Sequence, residues 1–112
     1  MTVEFTKLHG AGNDYIAIDG RGIDRDWGAL SKAMSALAFG VGSDGIVLVQ
    51  NSDIAQIRMR VYNPDGSEAE MSGNGIRLFS KFVVDRKFVL PENNALTVET
   101  GGGVRVVWPT MQ

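Results

Sequence analysis

The sequence predicts an α+β domain in which a curved, mostly antiparallel sheet wraps around a central helix. Short apolar runs typical of strands outnumber helical repeats, at about seven to two. The strands also follow one another through tight turns and do not alternate strictly with helices, which disfavours a doubly wound parallel sheet. With 112 residues, the chain is expected to form a single domain over residues 1–112.

The predicted strands are separated by turns rich in glycine. Fourteen glycines fall mostly in clusters between apolar runs, where they act as turn residues. Residues 63–66 (NPDG) form the strongest turn, because proline presets φ and glycine tolerates positive φ. We expect strands over residues 3–8, 15–18, 46–49, 54–62, 68–71, 96–100 and 104–108.

Two segments change to a helical period. Residues 26–39 place apolar side chains on one helical face, and Asp24 or Asp26 can cap the start of this helix. Residues 75–88 show the same period, and the strands on either side of this segment make it the central helix.

Composition excludes several classes of function. The net charge is −2 and no basic block is present, so we expect no nucleic-acid partner and no membrane partner. No apolar run approaches the length of a membrane span, and the first residues are too polar for a signal peptide, which predicts a cytoplasmic protein. The absence of cysteine excludes disulfides and thiolate metal sites, and no other metal-binding cluster is present.

Residues 71–75 (MSGNG) are the sharpest candidate for a site, because they lead directly into the central helix. The first N–H groups of a helix lack partners within the helix, and the helix dipole is positive there. Two glycines allow a small carboxylate or phosphate to approach the backbone. The alternative is structural: Ser72 or Asn74 acts only as the N-cap, and the glycines only form the turn.

Two further glycine loops give weaker signals. Residues 9–14 (HGAGND) lack the full spacing of a dinucleotide-binding loop and open a strand instead of a helix. His9 is the single histidine and could act as a general base, but the sequence identifies no partner for it, which favours a loop or core position. Asp44, in the turn at residues 42–45, is expected to bond to its own turn backbone.

Three loops taken together resemble the amino-terminal half of a diaminopimelate epimerase. They are residues 9–15 (HGAGNDY), 40–45 (GVGSDG) and 62–77 (YNPDGSEAEMSGNGIR), and their order and spacing both match. The resemblance implies one half of a two-domain fold, with the active site in the cleft between the halves. It implies cofactor-independent epimerisation of an amino acid such as diaminopimelate, in lysine and peptidoglycan biosynthesis. In this family one cysteine thiolate removes the α-proton and a second thiol returns a proton.

The resemblance also implies roles for individual residues. Ser72 stands at the position of the first catalytic cysteine. Gly45 falls where some members have a glutamine that contacts the substrate, so this contact is expected to be absent. The expected substrate-binding residues are two asparagines and two residues whose backbone N–H groups hold the carboxylate, namely Asn13, Asn63, Gly73 and Asn74.

Two departures from the family predict that this chain alone is inactive or weakly active. A helix N-terminus can lower the pKa of a cysteine to give a thiolate, but the hydroxyl of Ser72 is far less acidic. The chain is also expected to lack the family's second half, which a longer parent chain, a separate second half or a second copy in a homodimer would have to supply. The alternative is a non-catalytic module, or a remnant of the family, that binds a carboxylate or an amino acid.

Overall fold

The computed structural model describes residues 5–10, 13–35, 44–70 and 73–108. These residues contain the expected two helices and seven strands. The strands are β1 (Thr6–Gly10), β2 (Asn13–Asp19), β3 (Ile46–Gln50), β4 (Ile57–Tyr62), β5 (Glu68–Ala69), β6 (Leu96–Thr100) and β7 (Gly103–Val107). The helices are α1 (Trp27–Ser35) and α2 (Gly73–Asp85).

The strands form one open, mixed sheet in the order β1-β2-β3-β4-β6-β7, with β5 paired to β4. Pairs β1–β2, β3–β4, β4–β5 and β6–β7 are antiparallel. Pairs β2–β3 and β4–β6 are parallel, because the chain crosses over through the segments that contain α1 and α2. The predicted α+β class and the mostly antiparallel sheet are therefore confirmed.

The two helices cover opposite faces of the sheet. Phe79 and Val83 of α2 are fully buried against one face, together with Val47 and Val49 of β3. Trp27 of α1 belongs to a second cluster on the other face; its members are Ile16, Ile18, Trp27, Met34, Ile46, Leu48 and Tyr62. Successive strand residues point to opposite faces, so covering both faces requires the continuous apolar run seen in β3.

Helix α1 begins where its cap predicts. The Oδ1 atom of Asp26 accepts the backbone N–H of Ala29 at 3.0 Å, so Asp26, and not Asp24, is the N-cap. Gly28 lies against the turn that follows β4, where a β-carbon would be 2.5 Å from the carbonyl oxygen of Gly66. The absence of a side chain at Gly28 therefore lets α1 approach this turn closely. The predicted last turn of this helix, residues 36–39, lies outside the described residues.

Helix α2 starts and ends earlier than its periodicity predicts. It begins at Gly73, so Asn74 lies inside the helix, while Ser72 lies outside the described residues. It ends at Asp85 because Lys87 adopts a left-handed conformation with φ of 60°. The N–H groups of Lys87 and Phe88 then donate to the carbonyls of Val84 (3.0 Å) and Val83 (2.9 Å), which is a Schellman motif.

Several strand boundaries also differ from the prediction. Strand β4 starts at Ile57, and not at residue 54, because Ser52 Oγ accepts the N–H groups of Ile54 and Ala55 and turns the chain. Strands β1 and β2 extend to the hairpin between them, where Gly10 pairs with Asn13. Strand β5 is limited to two residues. Within the part of the chain that the structure describes, no helix is long and apolar enough to cross a membrane.

Candidate functional site

The predicted site residues lie close together at the edge of the sheet that is formed by the ends of its strands. Asn13 is the first residue of β2, Gly45 directly precedes β3, and β2 and β3 run parallel. Strand β4 runs antiparallel to β3, so Asn63, which follows β4, lies at the edge where β3 starts. The sheet thus brings together three loops that are far apart in the sequence.

The N-terminus of α2 lies at this same edge. Arg86 Nη2, just beyond the C-terminus of α2, donates to Thr6 Oγ1 at 2.7 Å, which fixes that end of the helix at the start of β1. The 13 residues of α2 span about 20 Å, which carries Gly73 to the edge where β1 ends. Only residues 70–72 separate Gly73 from β5, whose two residues pair with the end of β4.

The start of α2 has the properties of an anion site. Among the residues that the structure describes, none would lie within 4 Å of a β-carbon at Gly73, so these residues leave the first turn open to an approaching group. The first turn carries no acidic side chain to compete with an anion. The first four N–H groups of a helix have no partner within the helix, and the dipole makes this end positive. Gly73 and Asn74 can therefore present backbone donors to a carboxylate.

The turn that carries Asn63 is held from within. The Asn63 N–H donates to the carbonyl of Ser67 at 2.7 Å, and Asn63 Nδ2 donates to Ser67 Oγ at 3.0 Å. Asp65 Oδ1 accepts both the N–H and the hydroxyl of Ser67, at 2.9 and 2.6 Å. These hydrogen bonds from Ser67 lower the pKa of the Asp65 carboxyl. The turn therefore presents Asn63 in a defined position.

Helix α1 supports the same turn from the face of the sheet opposite to α2. The buried hydroxyl of Ser31 donates to the carbonyl of Asn63 at 2.8 Å. Ser31 is a support for the site that was not predicted. Its only available signal is a small polar residue on the apolar face of α1, since the partner lies 32 positions away in the sequence.

A second pair of loops is joined by Asp44. Its Oδ2 atom accepts the N–H of Asp14 at 2.8 Å, and its own N–H donates to the carbonyl of Asp14 at 2.7 Å. Asp44 thus links the loop before β3 to the start of β2. Residues 42 and 43 of its own turn lie outside the described residues, so the expected bond of Asp44 to that turn stays a prediction.

Gly45 occupies a position that only glycine can fill without strain. Its φ is 135°, and a β-carbon there would overlap the carbonyl oxygen of Tyr62. A longer side chain at this position would require the backbone of β4 to move. The expected absence of a substrate contact from Gly45 is consistent with this close approach.

His9 has a partner that the sequence did not reveal. Its Nδ1 atom lies 2.7 Å from Asp14 Oδ1, and the two residues are opposite each other in the β1–β2 ladder. Asp14 points to the same face as Ile16, which packs in the cluster of α1. The pair therefore lies on the face of the sheet away from α2, which argues against His9 as the base for a ligand at Gly73.

Charge near the Asn63 turn is balanced by an arginine. Arg60 makes two hydrogen bonds to the carboxylate of Glu68, at 3.0 and 2.8 Å, and these lower the pKa of Glu68. Burial raises the pKa of the neighbouring Tyr62. Across residues 5–10, 13–35, 44–70 and 73–108, no group of three histidine or acidic side chains could hold a metal ion.

Comparison with known proteins identifies the family. A family model described as diaminopimelate epimerase matches residues 5–110. The chain belongs to the diaminopimelate epimerase family. A diaminopimelate epimerase from Methanococcus maripaludis is 46% identical over 112 residues, covering 98% of this chain and 39% of the relative. The chain thus spans well under half the length of this member of the family.

Solved structures share the fold at low sequence identity. A phenazine biosynthesis protein of the PhzF family from Bacillus anthracis superposes with a TM-score of 0.71 at 22% identity, over 95% of this chain and 34% of that one. A probable proline racemase from Agrobacterium radiobacter gives a TM-score of 0.69 at 14% identity, over 92% and 36%. Both matches support the expectation that the chain has one half of the epimerase-like fold.

Proposed function

We propose that this chain forms one half of an amino-acid epimerase site, with diaminopimelate or a similar amino acid as substrate. The observation that carries the proposal is the meeting of Asn13, Asn63 and the start of α2 at one sheet edge, in a chain of this family. The backbone N–H groups of Gly73 and Asn74 bind the α-carboxylate, because this helix end is positive and sterically open.

The other residues have separate roles in this proposal. Asn13 and Asn63 contact polar groups of the substrate and orient it. Ser72 stands at the sequence position of the family's first catalytic cysteine, the group that removes the Cα proton in the family. Proton removal and return at Cα require only a base and an acid, so no cofactor is invoked. The serine hydroxyl is a poor base near neutral pH, and this chain alone is therefore inactive or weakly active.

Assembly would complete the site. We propose that residues 1–112 form a single domain, and that a second half, from a longer parent chain, a separate subunit or a second copy, supplies the facing wall of the cleft. A cytoplasmic location follows from the biosynthetic role that the family implies. This assembly is consistent with the short span of the chain relative to its 46%-identical relative.

A second candidate is a non-catalytic module that binds a carboxylate or an amino acid. It is favoured by the serine at residue 72, because a serine is compatible with a helix N-cap and cannot supply a thiolate. The two candidates share the binding site at α2 and differ in proton transfer. They therefore require one test of binding and one of exchange.

Proton transfer is tested by α-proton exchange of diaminopimelate in heavy water, followed by NMR, with the mass in solution measured on the same sample. We expect little exchange for the natural chain and more for the Ser72→Cys variant, because a thiol at a helix N-terminus ionises readily. Rapid exchange by the natural chain with a dimeric mass would contradict the predicted inactivity. Binding without exchange in both proteins would favour the non-catalytic module.

Binding is tested with the Gly73→Val variant, which places a branched side chain over the first N–H groups of α2. In a calorimetric titration, diaminopimelate should bind the natural chain and should bind the Gly73→Val variant at least tenfold more weakly. Lys81→Val is the matched control, because it adds the same branched residue to an exposed position of α2. Unchanged affinity in a folded Gly73→Val protein would remove the carboxylate site from the proposal.

A further inference from the structure

A cavity of about 340 Å³ lies at the end of α2 opposite the candidate site. Its walls come from the start of β1, the end of β2 and the chain around the C-terminus of α2. Six residues define its chemistry: Phe5, Thr6, Asp19, Phe82, Arg86 and Phe88. None of them belongs to the candidate site. Small-molecule sites are roughly 300–1,000 Å³, so the cavity suits a small ligand.

Two phenylalanine rings in contact with each other form the apolar wall of the cavity. The rings of Phe82 and Phe88 meet edge to face, with centroids 5.6 Å apart and planes at 89°. Phe82 is buried in the core, and Phe88 is fixed by its backbone hydrogen bond to Val83. The Schellman motif at the end of α2 thus places the backbone of Phe88 beside the ring of Phe82.

Asp19, the acidic residue that lines the cavity, forms an ion pair with Arg21. Arg21 Nε and Nη2 donate to the two carboxylate oxygens of Asp19, each at 2.9 Å. The guanidinium of Arg21 also lies 4.3 Å from the ring centroid of Phe88. Asp19 thus contributes no net negative charge that would repel an anion.

Arg86 supplies a positive charge at the cavity wall. One nitrogen donates to Thr6 Oγ1 at 2.7 Å, and the guanidinium lies 5.1 Å from the ring centroid of Phe82. Among the described residues no carboxylate forms an ion pair with Arg86. An arginine has five N–H donors in a planar fork, so the hydrogen bond to Thr6 leaves others available for an anion.

We propose that this cavity binds a small carboxylate with a flat apolar body, such as an aromatic carboxylate. The carboxylate pairs with the guanidinium of Arg86, because planar two-point pairing is the favoured geometry between these groups. The apolar body packs on the rings of Phe82 and Phe88. This site is separate from the N-terminus of α2, and its occupant differs from the proposed substrate in needing an apolar body.

Titration with benzoate, followed by proton–nitrogen NMR, tests the proposal. We expect saturable shifts of the amides of Thr6, Ala17 and Phe88 and of the Arg86 side-chain Nε–H. Benzamide, which has the same shape without charge, should bind at least tenfold more weakly. Shifts confined to residues 73–75, or equal binding of benzamide, would overturn the proposal.

Two arginine-to-glutamine variants test whether Arg86 is the positive charge that binds benzoate. Arg86→Gln keeps a donor for Thr6 and removes the charge, and should weaken benzoate binding at least tenfold. Arg105→Gln removes an exposed arginine from β7 and should leave the affinity unchanged. If Arg86→Gln loses the dispersed spectrum of a folded protein, Arg86→Lys replaces it and should show a smaller loss. Unchanged affinity in a folded Arg86 variant would overturn the proposal.

Discussion

The two ends of α2 are built differently. Around its start, two pairs of backbone segments approach each other closely at glycines, Gly45 against Tyr62 and Gly28 against Gly66. Side-chain hydrogen bonds from Ser31 and Asp44 hold the same loops. Around its end, guanidinium groups lie over phenylalanine rings, and the Schellman motif closes the helix with backbone hydrogen bonds. Backbone contacts place loops accurately and tolerate no added atom, whereas side-chain contacts can adjust. Glycine clusters therefore accompany the candidate site, because close backbone approaches there leave no room for a β-carbon.

The largest expected effect on stability comes from disrupting the backbone contact between Gly45 and Tyr62 near the start of α2. Gly45→Ala should lower the free energy of unfolding by about 3 kcal/mol or more, because it combines positive φ with overlap of a backbone oxygen. Urea denaturation measures this loss. Gly73→Ala is the control at the same end, where space is open and alanine favours helix; it should be neutral or stabilising by up to about 1 kcal/mol. Equal losses in both variants would contradict the comparison.

A smaller effect of opposite sign is expected at the other end of the helix. Lys87 holds φ of 60° at the position where helices prefer glycine. Lys87→Gly should raise the free energy of unfolding by about 0.5–1 kcal/mol, since it relieves the left-handed strain of a residue with a β-carbon. Lys87→Ala keeps the β-carbon and should give no such gain in the same denaturation measurement. A gain with alanine equal to that with glycine would show that the charge, and not the backbone, matters.

The smallest expected effect concerns acid stability. The hydrogen bonds from Arg21 lower the pKa of Asp19 in the folded protein. The pair therefore stabilises the fold at pH values above the ordinary pKa of an aspartate. This contribution is lost as the pH falls through the lowered pKa. Arg21→Gln should therefore reduce the loss of stability between neutral pH and about pH 3, by a few tenths of a kcal/mol for a half-exposed pair.

Urea denaturation at both pH values measures the acid effect. Arg60→Gln, which acts on Glu68 near the candidate site, provides the parallel experiment at the other end of α2. A steeper acid loss in Arg21→Gln than in the natural chain would contradict the assigned direction.

Local patterns predicted the elements better than their ends. The period of residues 75–88 correctly indicated a helix, but the helix ends at Asp85 because Lys87 turns left-handed, which no apolar spacing signals. The alternation of residues 54–62 correctly indicated β4. Its first residues instead form a turn, because the hydroxyl of Ser52 competes for their N–H groups.

The candidate site was only partly accessible from the sequence. The glycines before the central helix and the turn at Asn63 were visible as local motifs. The hydrogen bonds that support these motifs were not visible in the sequence. Ser31 bonds to Asn63 across 32 positions, and Asp44 bonds to Asp14 across 30 positions. Hydrogen bonds between distant residues produce no periodic pattern, and the pairing of His9 with Asp14 was missed for a related reason, since it depends on the hairpin register.

The α+β class, the seven strands and two helices of the described residues, and the family were all predictable from the sequence. These follow from local hydrophobic period, turn residues and motif spacing, which are properties of neighbouring residues. Three features depend instead on the tertiary structure: which strands run parallel, which loops meet at the start of α2, and where a cavity forms at its other end. Those features depend on the order in which distant strands pair, and that order is set by burial of both sheet faces under α1 and α2.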